Sequence, residues 1–238
     1  MKVFKITFLI FAASLLSCGT NNSEKSTSKE KKVVKKDSIN SSKIVEKESK
    51  KVEKTWDSLN AKNVIPFFTE FGKQNKKSIV EISTKFGKIK IRLYKDTPIH
   101  RANFLFLTKI NYFDTTVFYR VAKNFVIQGG NSDHFYTIKQ RKKYGNYQLE
   151  PEFRKNRRHK YGALAAAREW EHNPNKRSSP FQFYIVHNRN GAHHLNGEHT
   201  VFGEVISGFK TMDRIAAVKV GPDEWPLSDV HMTIKILE

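Results

Sequence analysis

Cysteine is nearly absent: Cys18 is the only one in 238 residues. That excludes an intramolecular disulfide framework and any cysteine-based zinc or iron–sulfur site within the chain. No apolar run reaches the ~20 residues of a bilayer-spanning helix, which excludes a polytopic membrane protein. No tandem repeat is present, so solenoid and propeller architectures are not indicated. Acidic residues are outnumbered, with 23 Asp and Glu against 43 Lys and Arg and a formal charge of +20. Aromatics are plentiful: 18 Phe, 8 Tyr and 3 Trp can build a core, which rules out disorder throughout. The length suits one domain of ordinary size with an additional segment.

The additional segment is N-terminal. Lys2 and Lys5 precede an almost wholly apolar run from Ile6 to Leu16, the pattern of a secretory signal over residues 1–17. The run ends Leu15-Leu16-Ser17-Cys18, which resembles the lipobox of bacterial lipoproteins. The resemblance implies that Cys18 is lipidated and anchors an exported protein to a membrane of the bacterial cell envelope. An ordinary signal with a coincidental cysteine is the rival reading. From Gly19 to Lys54 the chain is Ser, Lys, Glu and Asn with isolated Val and Ile, carrying 11 Lys and 6 acidic residues. Such a composition buries too little apolar surface to offset ordering entropy, so residues 18–63 read as a disordered or partly helical tether. Val45, Val52, Trp56 and Leu59 recur at helical spacing and keep the helical alternative open. As a coil, about 40 residues reach roughly 35 Å. Residues 64–77 read as a short helix and loop, Val64 to Phe71 with Pro66 near its start and Gly72 past its end.

Residues 78–238 read as the folded domain, with 26 basic and 15 acidic residues. Ile79 to Ile82 and Lys88 to Tyr94 alternate apolar and basic residues with period two around Phe86-Gly87, a half-buried hairpin. Thr97 and Pro98 suit the cap and first position of a helix to about Lys109, with Ile99, Ala102, Leu105 and Phe106 on its apolar face. Further strands are expected at Phe118–Val121, Phe125–Gln128, Phe181–Val186, Thr200–Val205 and Val230–Leu237. A second helix starts after Gly208, with Phe209, Met212, Ile215 and Ala216 at helical spacing. Short strands with two separated helices indicate a mainly β protein, a β-barrel with helical caps.

Four stretches in order carry a family resemblance. They are Phe118-Tyr119-Arg120-Val121 with Asn124 to Gly130; Phe181 to Ile185; Leu195 to Gly203; and the flanking Thr97-Pro98 with Gly208-Phe209. Together they resemble the cyclophilin-type peptidyl-prolyl cis-trans isomerases over essentially the whole of residues 78–238. The resemblance implies a closed eight-stranded antiparallel β-barrel capped by two α-helices, no cofactor, and an enzyme that speeds rotation about X–Pro bonds in proline-containing peptides and unfolded envelope proteins. A non-catalytic proline-peptide-binding chaperone or scaffold is the alternative.

Rotation about an X–Pro bond faces a barrier of about 18–20 kcal/mol from amide conjugation, between isomers differing by roughly 0.5–1 kcal/mol. A fixed donor near the proline nitrogen and an apolar slot for the ring address that barrier without nucleophile or metal. Arg120 is the candidate donor, mid-strand in apolar surroundings and permanently charged. Gln128 shares strand parity with Val126. Phe125 has the opposite parity, so both can line one pocket only if the strand bends there. By resemblance, Arg120, Phe125 and Gln128 are catalytic, with Gln128 steadying Arg120. Val126, Ala167, Arg168, Gln182, Tyr184, Leu195 and His199 bind substrate, Ala167 and Arg168 offering backbone groups to an extended peptide. Tyr184, usually phenylalanine in the family, brings a hydroxyl that needs a partner. Val126 replaces a common methionine. His194 stands where many eukaryotic members carry tryptophan, which puts tight cyclosporin binding in doubt. Two stretches, Asn131 to Gln148 and Glu169 to Ser179, exceed a minimal barrel loop. His187, His193, His194 and His199 are irregularly spaced, so no metal site is expected. The chain reads as a monomer without a nucleic-acid partner, its basic excess being generic electrostatics.

Overall fold

The computed structural model describes residues 58–237, so the leader, Cys18 and nearly all of the tether lie outside the described residues. Among the described residues there are four α-helices and eight strands in the order α1 (Val64–Gln74), β1 (Ile79–Thr84), β2 (Gly87–Leu93), α2 (Pro98–Lys109), β3 (Val117–Ala122), β4 (Val126–Asn131), α3 (Phe135–Tyr144), β5 (Ala163–Ala166), β6 (Phe183–Val186), β7 (Val201–Ser207), α4 (Phe209–Ala216) and β8 (Thr233–Ile236).

The strands form one curled sheet in the spatial order β3-β4-β6-β5-β7-β2-β1-β8. Every pairing is antiparallel. The edge strands β3 and β8 share no ladder. Their seam consists of an isolated bridge between Val117 and His231 and a hydrogen bond from Phe118 N–H to Val230 O of 2.9 Å. The expected strand from Val230 to Leu237 is therefore shorter, with this bridge preceding it.

Alternation in β2 works as the residues dictate: Ile89, Ile91 and Leu93 are buried, while Lys88, Lys90 and Arg92 face solvent. Inside the curl, the rings of Phe104, Phe113, Phe118, Phe183 and Phe202 meet at centroid distances of 4.8–6.1 Å. This aromatic knot fixes the spacing of β3, β6 and β7 under the groove described below. Gly130 is required at the end of β4: its φ is +91°, and a Cβ there would lie 2.1 Å from Phe181 O.

Helices α2 and α4 are the two caps expected. The N-terminus of α2 departs from expectation. Pro98 stands at the first turn, but the Thr97 side chain makes no capping bond. Instead the Glu152 carboxylate accepts from Ile99 N–H (3.2 Å) and His100 N–H (2.9 Å) and binds the buried His100 ring at 2.7 Å. A charged acceptor at a positive helix end is the stronger solution, supplied from fifty residues away. In α4, Met212, Ile215 and Ala216 are buried, whereas Phe209 is half-exposed and stacks on Tyr161.

Helix α1 runs through Gly72, which lies against Ala102 of α2, rather than ending there. Arg101 of α2 donates to Gly72 O, Asn75 O and Lys77 O, satisfying carbonyls at and just beyond the end of α1. Leu59 and Phe68 join the core, and Phe68 meets Phe67, Phe106 and Tyr147. The remaining helix, α3, lies in the first long insertion and has no counterpart in the sequence reading.

Phe68 is 1% exposed, so Phe68→Ala removes a ring from a closed environment. The expected loss is about 3–5 kcal/mol, measured as a lowered urea midpoint for the whole domain. An unchanged midpoint would show that α1 does not belong to the cooperative unit.

Candidate active site

On the outer face of the curl, β3, β4, β6 and the segments after β5 and before β7 enclose a groove of about 560 Å³. All ten residues expected to be catalytic or substrate-binding line it: Arg120, Phe125, Val126, Gln128, Ala167, Arg168, Gln182, Tyr184, Leu195 and His199. Tyr119, Glu169, Trp170 and His194 line it as well.

The parity conflict between Phe125 and Val126 is resolved by a turn. β4 begins at Val126, and Phe125 precedes it in a turn closed by Phe125 N–H to Ala122 O, with Asn124 at φ +56°. The chain therefore changes direction between the two side chains, and both face the groove. His187 and Asn188 N–H both donate to Phe125 O and hold the turn down. On β3, the register against β4 shifts between Phe118 and Arg120. The bulge places Tyr119 and Arg120, consecutive residues, on the same side.

Arg120 is fixed from two directions. Its Nε donates to Glu224 Oε2 at 2.7 Å, and its Nη1 reaches Gln128 Oε1 at 3.4 Å. Among the described residues no acceptor engages Nη2. The side chain is 35% exposed, so the guanidinium lies at the groove wall rather than in bulk solvent. Gln128 Nε2 donates to Tyr119 OH, and Tyr119 OH donates to Gln182 Oε1 at 2.9 Å. Burial pushes the Tyr119 phenol up to about 12, so it remains a neutral donor. Gln128 thus steadies Arg120 by only one long bond, and its own donor is committed to Tyr119.

The floor is apolar. Val126, Ala165, Ala167, Tyr184, Val186, Leu195 and Val201 form one buried cluster, with Phe125 packed against it. The His194 ring stacks on Phe125 at 5.6 Å and 22°. The residue that departs from the family's tryptophan therefore still supplies a flat wall.

Tyr184 finds its hydroxyl partner in a residue that sequence reasoning missed. His159 Nδ1 lies 3.0 Å from Asn196 Oδ1, and its Nε2 lies 3.0 Å from Tyr184 OH. Asn196 Oδ1 only accepts, so the proton is on Nδ1 and Nε2 accepts from Tyr184. The pair lies far apart in sequence and carries no local signal.

Arg168 behaves differently from a free binding residue. Its Nε donates to Glu198 O and its Nη2 to Glu198 Oε2, both at 2.8 Å, and its side chain is 4% exposed. Trp170 covers it, with the guanidinium carbon 4.0 Å from the ring. Among the described residues its backbone N–H and C=O have no partner, which leaves them for an extended peptide. Trp170 also meets His199 at 5.2 Å. His199 is buried and donates Nδ1–H to Ala166 O at 3.0 Å. Among the described residues no group of three or more His, Cys, Asp or Glu could hold a metal ion.

The comparisons with known proteins agree with this geometry. The family model "Cyclophilin type peptidyl-prolyl cis-trans isomerase/CLD" matches residues 79–235. A peptidyl-prolyl cis-trans isomerase of Arabidopsis thaliana is 34% identical over 155 residues, 64% of this chain and 91% of the relative. One from Acinetobacter baylyi is 33% identical over 59% of this chain and 73% of its own. A crystal structure of a cyclophilin-type isomerase from Cryptosporidium parvum superposes with a TM-score of 0.58 at 27% identity, covering 68% of this chain and 98% of that one. The chain belongs to the cyclophilin-type peptidyl-prolyl cis-trans isomerases, and is an isomerase with their fold.

Burial lowers the His159 pKa from 6.5 to about 4, and burial lowers that of His199 as well. The unfolded chain then binds more protons in this window. Stability is fully present above pH 6.5 and is lost as pH falls toward 4, by on the order of 3 kcal/mol from His159. Urea midpoints at pH 7 and pH 4.5 should differ more for wild type than for His159→Gln, which cannot titrate. Equal differences in the two proteins would remove His159 from this role.

Proposed function

We propose that the groove isomerises X–Pro bonds in proline-containing segments of cell-envelope proteins, with Arg120, Phe125 and Gln128 carrying the reaction. Supporting this reading is the meeting of a held guanidinium and an apolar slot in one groove. The proline ring packs on Phe125, Val126, Leu195 and the His194 face. The peptide backbone runs past Ala167, whose own N–H and C=O are bonded to Gln182 and Ser179, and hydrogen-bonds to the unpaired N–H and C=O of Arg168. As the amide twists, conjugation is lost and the nitrogen regains its lone pair. The Nη2 donors of Arg120 stabilise that lone pair only in the twisted state, which lowers the barrier without altering the equilibrium. No bond forms or breaks. Gln128, linked through Tyr119 to Gln182, keeps the donor edge on the groove side. A Cryptosporidium parvum cyclophilin of the same fold was crystallised in the presence of the dipeptide Ala-Pro, which supports a proline site of this kind.

Residues 1–17 act as a signal, Cys18 is acylated, and residues that follow tether a monomeric domain to an envelope membrane. The sheet closes into a barrel across the Val117–His231 seam. Acylation is checked by mass spectrometry of the N-terminal peptide of protein isolated from the producing bacterium; an unmodified Cys18 would remove the anchor.

Exchange of a proline-containing peptide between cis and trans, followed by NMR, tests the reaction. Arg120→Ala should lower kcat/KM by about 10²–10³-fold, the size expected on losing one transition-state donor. Peptide affinity should change little. Exchange equally fast with the variant would remove Arg120 from the reaction, and exchange no faster with wild type than without protein would leave the groove a binding module only.

A further inference from the structure

Helix α3 is an inserted element with a firmly attached inner side and an unpartnered outer one. On the inner side, buried Thr137 donates its hydroxyl to Thr115 O at 2.6 Å. Arg141 Nε donates to Tyr112 OH at 2.9 Å, and Tyr144 meets Phe106 edge-on. On the outer side, Phe135 is 77% exposed, Tyr136 46% and Ile138 45%, an unusual concentration of large apolar groups in water. Lys139, Lys142 and Lys143 are exposed beside them. Phe135, Ile138, Lys139 and Lys142 follow one helical face at spacings of three, one and three. The helix contains no acidic residue; the nearest in sequence, Asp133, precedes its cap.

The route of the chain supplies the second observation. Leu59, next to the first described residue, donates its N–H to Tyr144 O at 3.0 Å. A Cβ on Gly145 would lie 2.1 Å from Leu59 O, so the two segments touch. The described chain thus begins at the C-terminal end of α3. A 10-residue helix is about 15 Å long, so the whole exposed face lies within that distance of this point.

We propose that the outer face of α3 docks on an anionic lipid surface. Phe135, Tyr136 and Ile138 enter the interface between headgroups and acyl chains, and the three lysines sit among negatively charged headgroups. Exposed aromatic and aliphatic groups flanked by lysine on a helix lying in the membrane plane fit that solvent boundary. A lipid anchor at Cys18, joined to this end of α3 by about 40 residues that reach roughly 35 Å as a coil, would keep this face close to the surface. Docking goes beyond the anchor and rests on it only for which surface the face meets. It would also fix the domain's orientation, since α3 is bonded through Arg141 to Gly130 O at the end of β4.

The test uses the full chain with vesicles in excess and reads amide hydrogen exchange over residues 135–144. Phosphatidylcholine vesicles are compared with vesicles containing phosphatidylcholine and phosphatidylglycerol. Exchange should slow by about tenfold with the anionic vesicles and remain unchanged with the neutral ones. Combined Lys139→Glu, Lys142→Glu and Lys143→Glu substitution should abolish the slowing, as should Phe135→Ser with Ile138→Ser. Isomerisation of a soluble peptide should be unaffected in both, since none of these residues lines the groove. Equal exchange in the two vesicle types would overturn the proposal. So would protection that appears without vesicles and grows with protein concentration, which would assign the face to a second copy. An unacylated Cys18 with slowed α3 exchange would end the anchor and leave the docking face standing.

Discussion

The groove depends on one guanidinium being unable to swing away. Arg120 lies on a strand at the edge of the sheet, where a long side chain would ordinarily trail into water. Glu224 holds its Nε and Gln128 lies against its Nη1, so two of its three nitrogens are engaged and Nη2 is left to be presented. An ion pair exposed to this degree contributes only about 0–1 kcal/mol to folding. Its value is orientation: a donor already aimed at the reacting nitrogen needs no reorganisation when the amide twists.

The scaffold beneath the groove explains why that aim can be kept. Close-packed aromatic rings inside the curl set the positions of β3 and β6, and β4 lies between them. The bulge at Tyr119 and the turn at Asn124 then redirect individual side chains on that rigid frame. Three polar groups packed against the slot are paired: Tyr184 with His159, His159 with Asn196, and Arg168 with Glu198. The slot can therefore be apolar at its surface while Tyr184, His159 and Arg168 keep their hydrogen bonds. The second insertion adds Trp170, which roofs Arg168 and narrows the groove beside His199.

Local pattern made much of this legible. Period-two alternation located β1 and β2, and helical spacing located α2 and α4. The family resemblance names ten site residues, and all ten line one groove. What escaped was non-local. Glu224 and His159 face Arg120 and Tyr184 across long sequence separations, and no spacing rule connects them. Thr97 had the right chemistry for a cap, yet Glu152 reaches the same N–H groups with a full charge. Phe125 has the wrong strand parity for the groove because it sits in a turn ahead of β4, where parity does not apply. Helix α3 reads as a basic loop because its buried side is polar, Thr137 and Arg141, while its apolar groups face outward. A periodicity test assumes the reverse.

The most direct measurement is the separate determination of turnover and peptide affinity for Arg120→Lys by exchange NMR. Lysine keeps the charge and loses the rigid fork that Glu224 grips. If orientation is what the site provides, turnover falls far below wild type while peptide affinity is retained. Wild-type turnover in the lysine variant would mean that positive charge alone suffices and that the fixed geometry of the guanidinium contributes nothing.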